Sequence, residues 1–205
     1  MTNRKQDSDP QFTLASASPR RRALLQQIGL RFRVRPVDVD ETPLPGEAPE
    51  PYVLRLAARK ARRGAALWPG LPAMGADTTV VLGGKLLGKP ADEDEAVACL
   101  MALSGRKHRV LSAVALVRGE RLETRLSTTV VGFRRLMESE CRAYWRTGEP
   151  ADKAGGYAIQ GLGAVFVTAI EGSYSGVVGL PLAETGDLLR SFGISYWQQP
   201  APTGV

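Results

Sequence analysis

Apolar positions along the chain switch repeatedly between a period of two and a period near 3.6, the pattern of alternating strands and helices. Residues 11–16, "QFTLAS", predict a short strand. Residues 18–30 predict a helix with Ser18 as N-cap, Pro19 in its first turn and Gly29 at its end. Its apolar stripe is Leu24, Leu25 and Ile28. Residues 31–39 alternate and predict a strand, 41–51 a loop rich in proline and acid, and 51–68 a long amphipathic helix. Residues 73–90 hold two apolar runs about Gly83-Gly84, a hairpin signal. A helix with an acidic first turn follows at 92–105, then a longer hairpin at 107–133 turning near Gly119. Residues 136–148 predict a helix, 155–180 a glycine-rich stretch with a strand at 164–170, and 181–193 a closing helix.

This order predicts an α/β fold: an extended mixed sheet flanked by helices, with βα units and hairpins combined. Residues 11–193 are expected to form one domain between frayed tails at 1–10 and 194–205. Composition keeps the chain in the ordinary globular class: 205 residues, 43% hydrophobic, 23% charged and 6% aromatic. The net charge of +6 points to an anionic partner, although much of the excess is arginine. Few aromatics lie among the basic residues, which argues against a base-stacking nucleic-acid surface and a stable nucleic-acid partner. No apolar run is long enough for a membrane span, so no membrane partner is expected, and the polar N-terminus does not read as a signal peptide. Two cysteines without a CxxC pattern disfavour structural zinc and fit a reducing, cytoplasmic setting. Cys99, on an apolar helix face, reads as a buried thiol.

Five stretches carry candidate chemistry. "SASPRRR" opens a helix with Arg20, Arg21 and Arg22, the unfavourable end of the helix dipole for cations. Two readings stay open: a capped helix with solvated arginines, or an anion site built from helix N–H groups, Ser16, Ser18 and guanidinium groups. Asp77 interrupts an apolar run at what reads as a strand end; it either faces a ligand crevice or caps a turn. Asp38, Asp40 and Glu41 form an acidic loop that is either solvated or binds a hard cation. Lys60 and Lys89 are either surface lysines or phosphate contacts. In "ADKAGGYAIQGLG", Gly155, Gly156, Gly161 and Gly163 permit close backbone approach to a ligand, and Gln160 reads as a buried amide. With His108 as the only histidine, Ser-His-Asp chemistry is disfavoured, and no Walker A or GxGxxG motif occurs.

Together, "LASASPRRRALL", "DVDET", "LAARKA", "GADTTVVLGGKLLGKP", "LSGRKHRVLSAVAL", "DKAGGYAIQG" and "GSYSGVVGLPLAET" resemble the Maf-like nucleoside triphosphate pyrophosphatases, in family order over about residues 12–192. The resemblance implies a fold like that of the inosine triphosphate pyrophosphatases, with a cleft between two lobes. It implies cleavage between the α- and β-phosphates to a monophosphate and pyrophosphate, dependence on Mg²⁺ or Mn²⁺, and a homodimer. It makes Asp77 the proton acceptor or a metal ligand, with Glu41 as the other metal ligand. Ser16, Arg20, Arg21, Lys60 and Lys89 match positions lining the site. The set Arg20, Thr78 and Gln160 is similar to members acting on dTTP and UTP rather than 7-methyl-GTP. Arg59, where many members carry Glu, and the extra Arg22 depart from the pattern without removing a matched site residue.

Overall fold

The computed structural model describes residues 9–197; residues 1–8 of the tail expected at 1–10, and residues 198–205 of the tail expected at 194–205, lie outside them. The elements run β1 (Phe12–Leu14), α1 (Pro19–Gln27), β2 (Phe32–Val34), α2 (Pro49–Leu67), β3 (Ala73–Leu82), β4 (Lys85–Leu87), α3 (Glu93–Leu103), β5 (Lys107–Arg118), β6 (Arg121–Phe133), α4 (Glu138–Trp145), β7 (Val167–Glu171), α5 (Tyr174–Val178) and α6 (Leu182–Ser191). Three short 3-10 turns, Glu149–Asp152, Ala154–Gly156 and Leu162–Phe166, connect α4 to β7. The strands form one mixed seven-stranded sheet in the order β2-β1-β3-β5-β6-β7, with β4 paired to β3. β1 is parallel to β2 and β3, and the remaining pairs are antiparallel. The expected mixed α/β sheet is therefore present.

Local chemistry explains most boundaries. Ser18 caps α1, its hydroxyl accepting from the Arg21 N–H, and Gly29 leaves the helix at φ +73°. Gly83 and Gly84, both at positive φ, make the two-residue turn between β3 and β4. The strand expected over 31–39 shrinks to Phe32–Val34, because Pro36 has no N–H and the residues after it find no partner strand. The expected strand at 164–170 starts only at Val167, after the 3-10 turn. α5, with two glycines about its five residues, lay hidden in the glycine-rich stretch; the Ser173 hydroxyl caps it. Cys99 is half-buried, not buried, because it lies beside the Ala96, Val97, Leu100 and Leu103 stripe of α3; Cys141 of α4 is the fully buried thiol. Residues 194–197 run against α1: Ile194 is buried and the Trp197 N–H donates to the Ile28 carbonyl.

Alternation along β3 divides the core. Met74, Ala76 and Val80 join the larger cluster with α1, α3 and α6, whereas Val81 packs with Val53, Ala57 and Ala61 of α2. Gly75 lies on the α2 side, and α2 crosses directly over it. A Cβ there would sit 2.3 Å from the Ala57 carbonyl oxygen and 2.4 Å from the Ala61 nitrogen. Both are backbone atoms of one helix, so the clash could be relieved only by lifting α2. Gly75→Ala is expected to cost about 3 kcal/mol in urea unfolding. Gly88→Ala, with open space around the new methyl, is expected to stay within about 0.5 kcal/mol.

Candidate active site

β5 pairs with β3 continuously from Ala73 to Val81, so β1 and β4 must share the other edge of β3. β1 pairs only with Ala73 and Met74, and β4 only with Val80 to Leu82. Residues 75–79 between them have strand partners on one side alone. A cleft of about 500 Å³ opens at this gap. It is lined by Ser16, Arg20, Arg21, Glu41, Lys60, Asp77, Thr78, Lys89 and Gln160, so the fold brings together the nine residues that the family resemblance matched to a site. Asp77 sits in the middle of β3 rather than at a strand end as expected. The strand that ends beside it is β1, and the effect is the same opening.

On the α2 side of β3, Lys60 is buried and its Nζ lies 2.7 Å from Asp77 Oδ1 and 2.6 Å from Glu41 Oε1. Helical spacing puts Lys60 on the same face as Leu56, Ala57, Ala61 and Gly64, so its stem is held against the sheet. Burial alone would raise the Glu41 carboxyl, but the hydrogen bond and charge of Lys60, with Lys89 and Arg21 beyond, bring it below the usual range. Tyr52 donates its hydroxyl to the Glu41 carbonyl at 3.0 Å and also lines the cleft. Asp38 and Asp40 do not join this cluster: both are exposed, and Asp40 accepts from the Thr42 N–H. Among the described residues, no group of three His, Cys, Asp or Glu side chains could hold a metal.

On the opposite side of β3 the three arginines separate. Arg21 Nε donates to the Gly179 carbonyl at 2.9 Å, and its terminal nitrogens donate to Ser16 Oγ at 3.2 Å and Thr78 Oγ1 at 3.4 Å. Burial lowers the Arg21 guanidinium pKa, and no carboxylate pairs with it among the described residues. Arg20 reaches across the cleft to Asp152 at 3.7 Å, and Arg22 is exposed. Thr78 also shares a 2.6 Å hydrogen bond with Ser112 and donates to the Gly179 carbonyl at 3.2 Å. The Gly179 carbonyl just past α5 therefore fixes two side chains of the cleft.

Lys89 follows β4, is exposed and lines the cleft with no carboxylate paired to it among the described residues. Gln160, read as a buried amide, is instead exposed at the cleft rim because the loop 158–163 carries it outward. Gly161 and Gly163, expected to let a ligand approach, make room for the protein's own side chains. A Cβ at Gly161 would meet Glu149 Oε2 at 2.0 Å, and one at Gly163 would meet Tyr144 Oη at 2.6 Å. Tyr52, Asp152, Lys153 and Tyr157 line the cleft too, and the motif readings did not single them out. Lys153 was legible within "DKAGGY", where it is the only basic residue before the glycine pair. Counting charges, five cations and three carboxylates line the cleft, a formal excess of +2.

Beneath the glycine pair, buried His108 shares a 2.8 Å hydrogen bond with the Tyr157 hydroxyl, and its Nδ1 has no partner. Phe133 and Tyr157 rings stand edge-on to it. Burial in this apolar setting pushes the imidazole pKa down from 6.5 to about 4. The unfolded chain then takes up a proton that the folded chain refuses. The stability held above pH 6.5 should fall as the pH drops toward about 4, by up to about 3 kcal/mol at 1.36 kcal/mol per pKa unit. Urea unfolding of the wild type and His108→Gln across this window should show the difference between them narrowing or reversing as the pH falls.

The Maf-like protein family model matches residues 11–192. A protein of Saccharophagus degradans named dTTP/UTP pyrophosphatase is 52% identical over 202 residues, covering 97% of this chain and 96% of that protein. One of Aromatoleum aromaticum with the same name is 53% identical over 194 residues, covering 88% of this chain and 94% of its own length. Among solved structures, a HAM1 protein from Coxiella burnetii superposes with a TM-score of 0.51 at 17% identity, covering 89% of this chain and 100% of that one. At that identity the likeness concerns the fold, an open mixed sheet with flanking helices. With the family pattern spanning nearly all of the described residues, and relatives above half identity along the same length, the chain belongs to the Maf-like family.

Proposed function

We propose that this protein is a nucleoside triphosphate pyrophosphatase that hydrolyses dTTP and UTP to the monophosphate and pyrophosphate. The observation that carries this reading is Arg21. A guanidinium hydrogen-bonded only to neutral oxygens, in a cleft of net positive charge that Lys89 also lines with no carboxylate paired to it among the described residues, is an electrostatic vacancy that an oligophosphate would fill. The relatives named above supply the base, thymine or uracil.

In this mechanism the triphosphate lies along the start of α1. Ser16, the helix N–H groups, Arg20, Arg21, Lys60 and Lys89 hold its charge. Phosphoryl transfer depends mainly on positioning and charge neutralisation, which these groups provide. Lys60 keeps the Asp77 and Glu41 carboxylates converging on one point. Only Oδ1 of Asp77 is engaged by that contact, which leaves Oδ2 to accept a proton from the attacking water. Two carboxylates meeting at one point, with no third acidic ligand among the described residues, would suit Mg²⁺ or Mn²⁺ completed by substrate oxygens and would not suit an all-protein cage. Such an ion would be held by Glu41, joined by Asp77 where Asp77 serves as its ligand instead of as the proton acceptor, and would supply Lewis-acid polarisation of the phosphate. Arg20, Thr78 and Gln160 are the residues assigned to the pyrimidine base.

The same reading takes residues 11–193 as a single domain with two lobes about the cleft, acting in the cytoplasm as a homodimer. No helix among the described residues is long and apolar enough to cross a membrane. Removal of non-standard nucleotides and an influence on cell division are the roles proposed for the activity.

Turnover of dTTP, UTP, CTP, 7-methyl-GTP and ITP, read as pyrophosphate release, tests the assignment. dTTP and UTP should be the best substrates, and chelation of divalent cations should stop the reaction. Asp77→Asn should lower the rate by about 10²–10⁴-fold while leaving the fold intact by circular dichroism. Full turnover in that variant would remove Asp77 from the mechanism. Preference for a purine nucleotide would overturn the pyrimidine assignment.

A further inference from the structure

Gln160 is the base-reading candidate whose position is least explained by its own contacts. Its amide makes no hydrogen bond among the described residues and it is exposed at the rim. Its aim is therefore set by the backbone of residues 158–163. That backbone is held by two side chains outside the cleft lining, Glu149 in the first 3-10 turn and Tyr144 near the end of α4.

The contacts form a closed knot. Glu149 Oε2 accepts from the Leu162 N–H at 2.9 Å, and Oε1 accepts from the Gly163 N–H at 2.9 Å and from the Tyr144 hydroxyl at 2.5 Å. The Tyr144 oxygen accepts in turn from the Ala158 N–H at 3.1 Å. The loop is thus pinned on both sides of Gln160, two residues before it and two and three residues after it. Tyr144 is anchored by its ring, buried and edge-on to Phe166. Gly161, next to Gln160, is required by the same arrangement, since any side chain there would occupy the place of the Glu149 carboxylate. Burial works against the charged form of Glu149, yet the Tyr144 hydroxyl and the two N–H donors outweigh it and keep the carboxylate ionised.

We infer that Glu149 and Tyr144 are positioning residues for base selectivity: their knot fixes the 158–163 loop and so aims the Gln160 amide at the nucleobase. The inference rests on the proposed pyrimidine triphosphatase reading. Three donors converge on the two oxygens of Glu149, a demand only a carboxylate meets. In Glu149→Gln one oxygen becomes an NH₂ group facing a backbone N–H or the tyrosine hydroxyl, so the loop must shift.

The test compares kcat and KM for dTTP, UTP and CTP in wild type, Glu149→Gln, Tyr144→Phe, Gln160→Ala and the Glu149→Gln/Gln160→Ala double variant. Glu149→Gln is expected to raise KM for dTTP and UTP about tenfold, with a smaller change in kcat, and to cut the dTTP-over-CTP ratio of kcat/KM about tenfold. Tyr144→Phe, which keeps the ring packing, should move the same ratio in the same direction. The double variant should be no less selective than Gln160→Ala alone, because the two changes remove one contact. Selectivity kept in Glu149→Gln but lost in Gln160→Ala would overturn the knot's role and leave the Gln160 assignment standing. Equal losses on all three nucleotides would make Glu149 merely structural and also overturn it. Selectivity kept in Gln160→Ala would overturn the base assignment of Gln160 and this inference with it. A wild type that released no pyrophosphate from dTTP or UTP would overturn the proposed function itself.

Discussion

The site depends on a break in strand pairing. Backbone groups in a sheet interior are held by neighbours on both edges, and side chains of one strand then stay on separate faces. Asp77 and Thr78 are adjacent on β3 and point to opposite faces. Both can line one cavity only because β1 ends after Leu14 and β4 begins its pairing at Val80. The gap lets groups from the α2 side and the α1 side meet across the strand edge. The two carboxylates thus come from one face of the sheet and the Arg21 guanidinium from the other.

Close packing then decides what each side can do. The missing side chain at Gly75 lets α2 lie on β3, so Lys60 cannot leave for solvent. A buried ammonium is costly unless its charge is met, and Asp77 and Glu41 meet it from a strand and from a loop. The same cation relieves the repulsion between those two carboxylates. On the other face, Arg21 is held by the Gly179 carbonyl and two hydroxyls, which orient the guanidinium without neutralising it. One basic residue is therefore satisfied within the fold, while the other stays electrostatically open. This asymmetry separates a cation already met by carboxylates from one that no carboxylate of the described residues pairs with.

The glycine-rich segment is organised in a comparable way. Its glycines admit Glu149, Tyr144 and Val80 of the protein itself. The segment is consequently braced by hydrogen bonds and aromatic edges, from Tyr144 and Phe166 to His108 and Tyr157. It forms the wall of the cleft facing α1, and Arg20 and Asp152 touch across the opening.

Periodicity determined the order of the strands and of every helix except α5, since burial of one face imposes its spacing on the residues that cover it. Cap and turn residues placed the ends of α1 and the β3–β4 turn, because their backbone preferences act locally. The resemblance of seven short stretches then picked out nine of the side chains that line the cleft. Other features were not legible locally. β2 stops after three residues for want of a partner strand, and α5 is too short to show a period. The three arginines look alike in "SPRRR", yet one reaches Asp152, one is held half-buried against the Gly179 carbonyl and one faces water. Successive residues on a helix lie about 100° apart, so each meets whatever the rest of the chain places in its direction. Which charges are present is a property of the sequence; only tertiary packing decided which of them another part of the chain would neutralise.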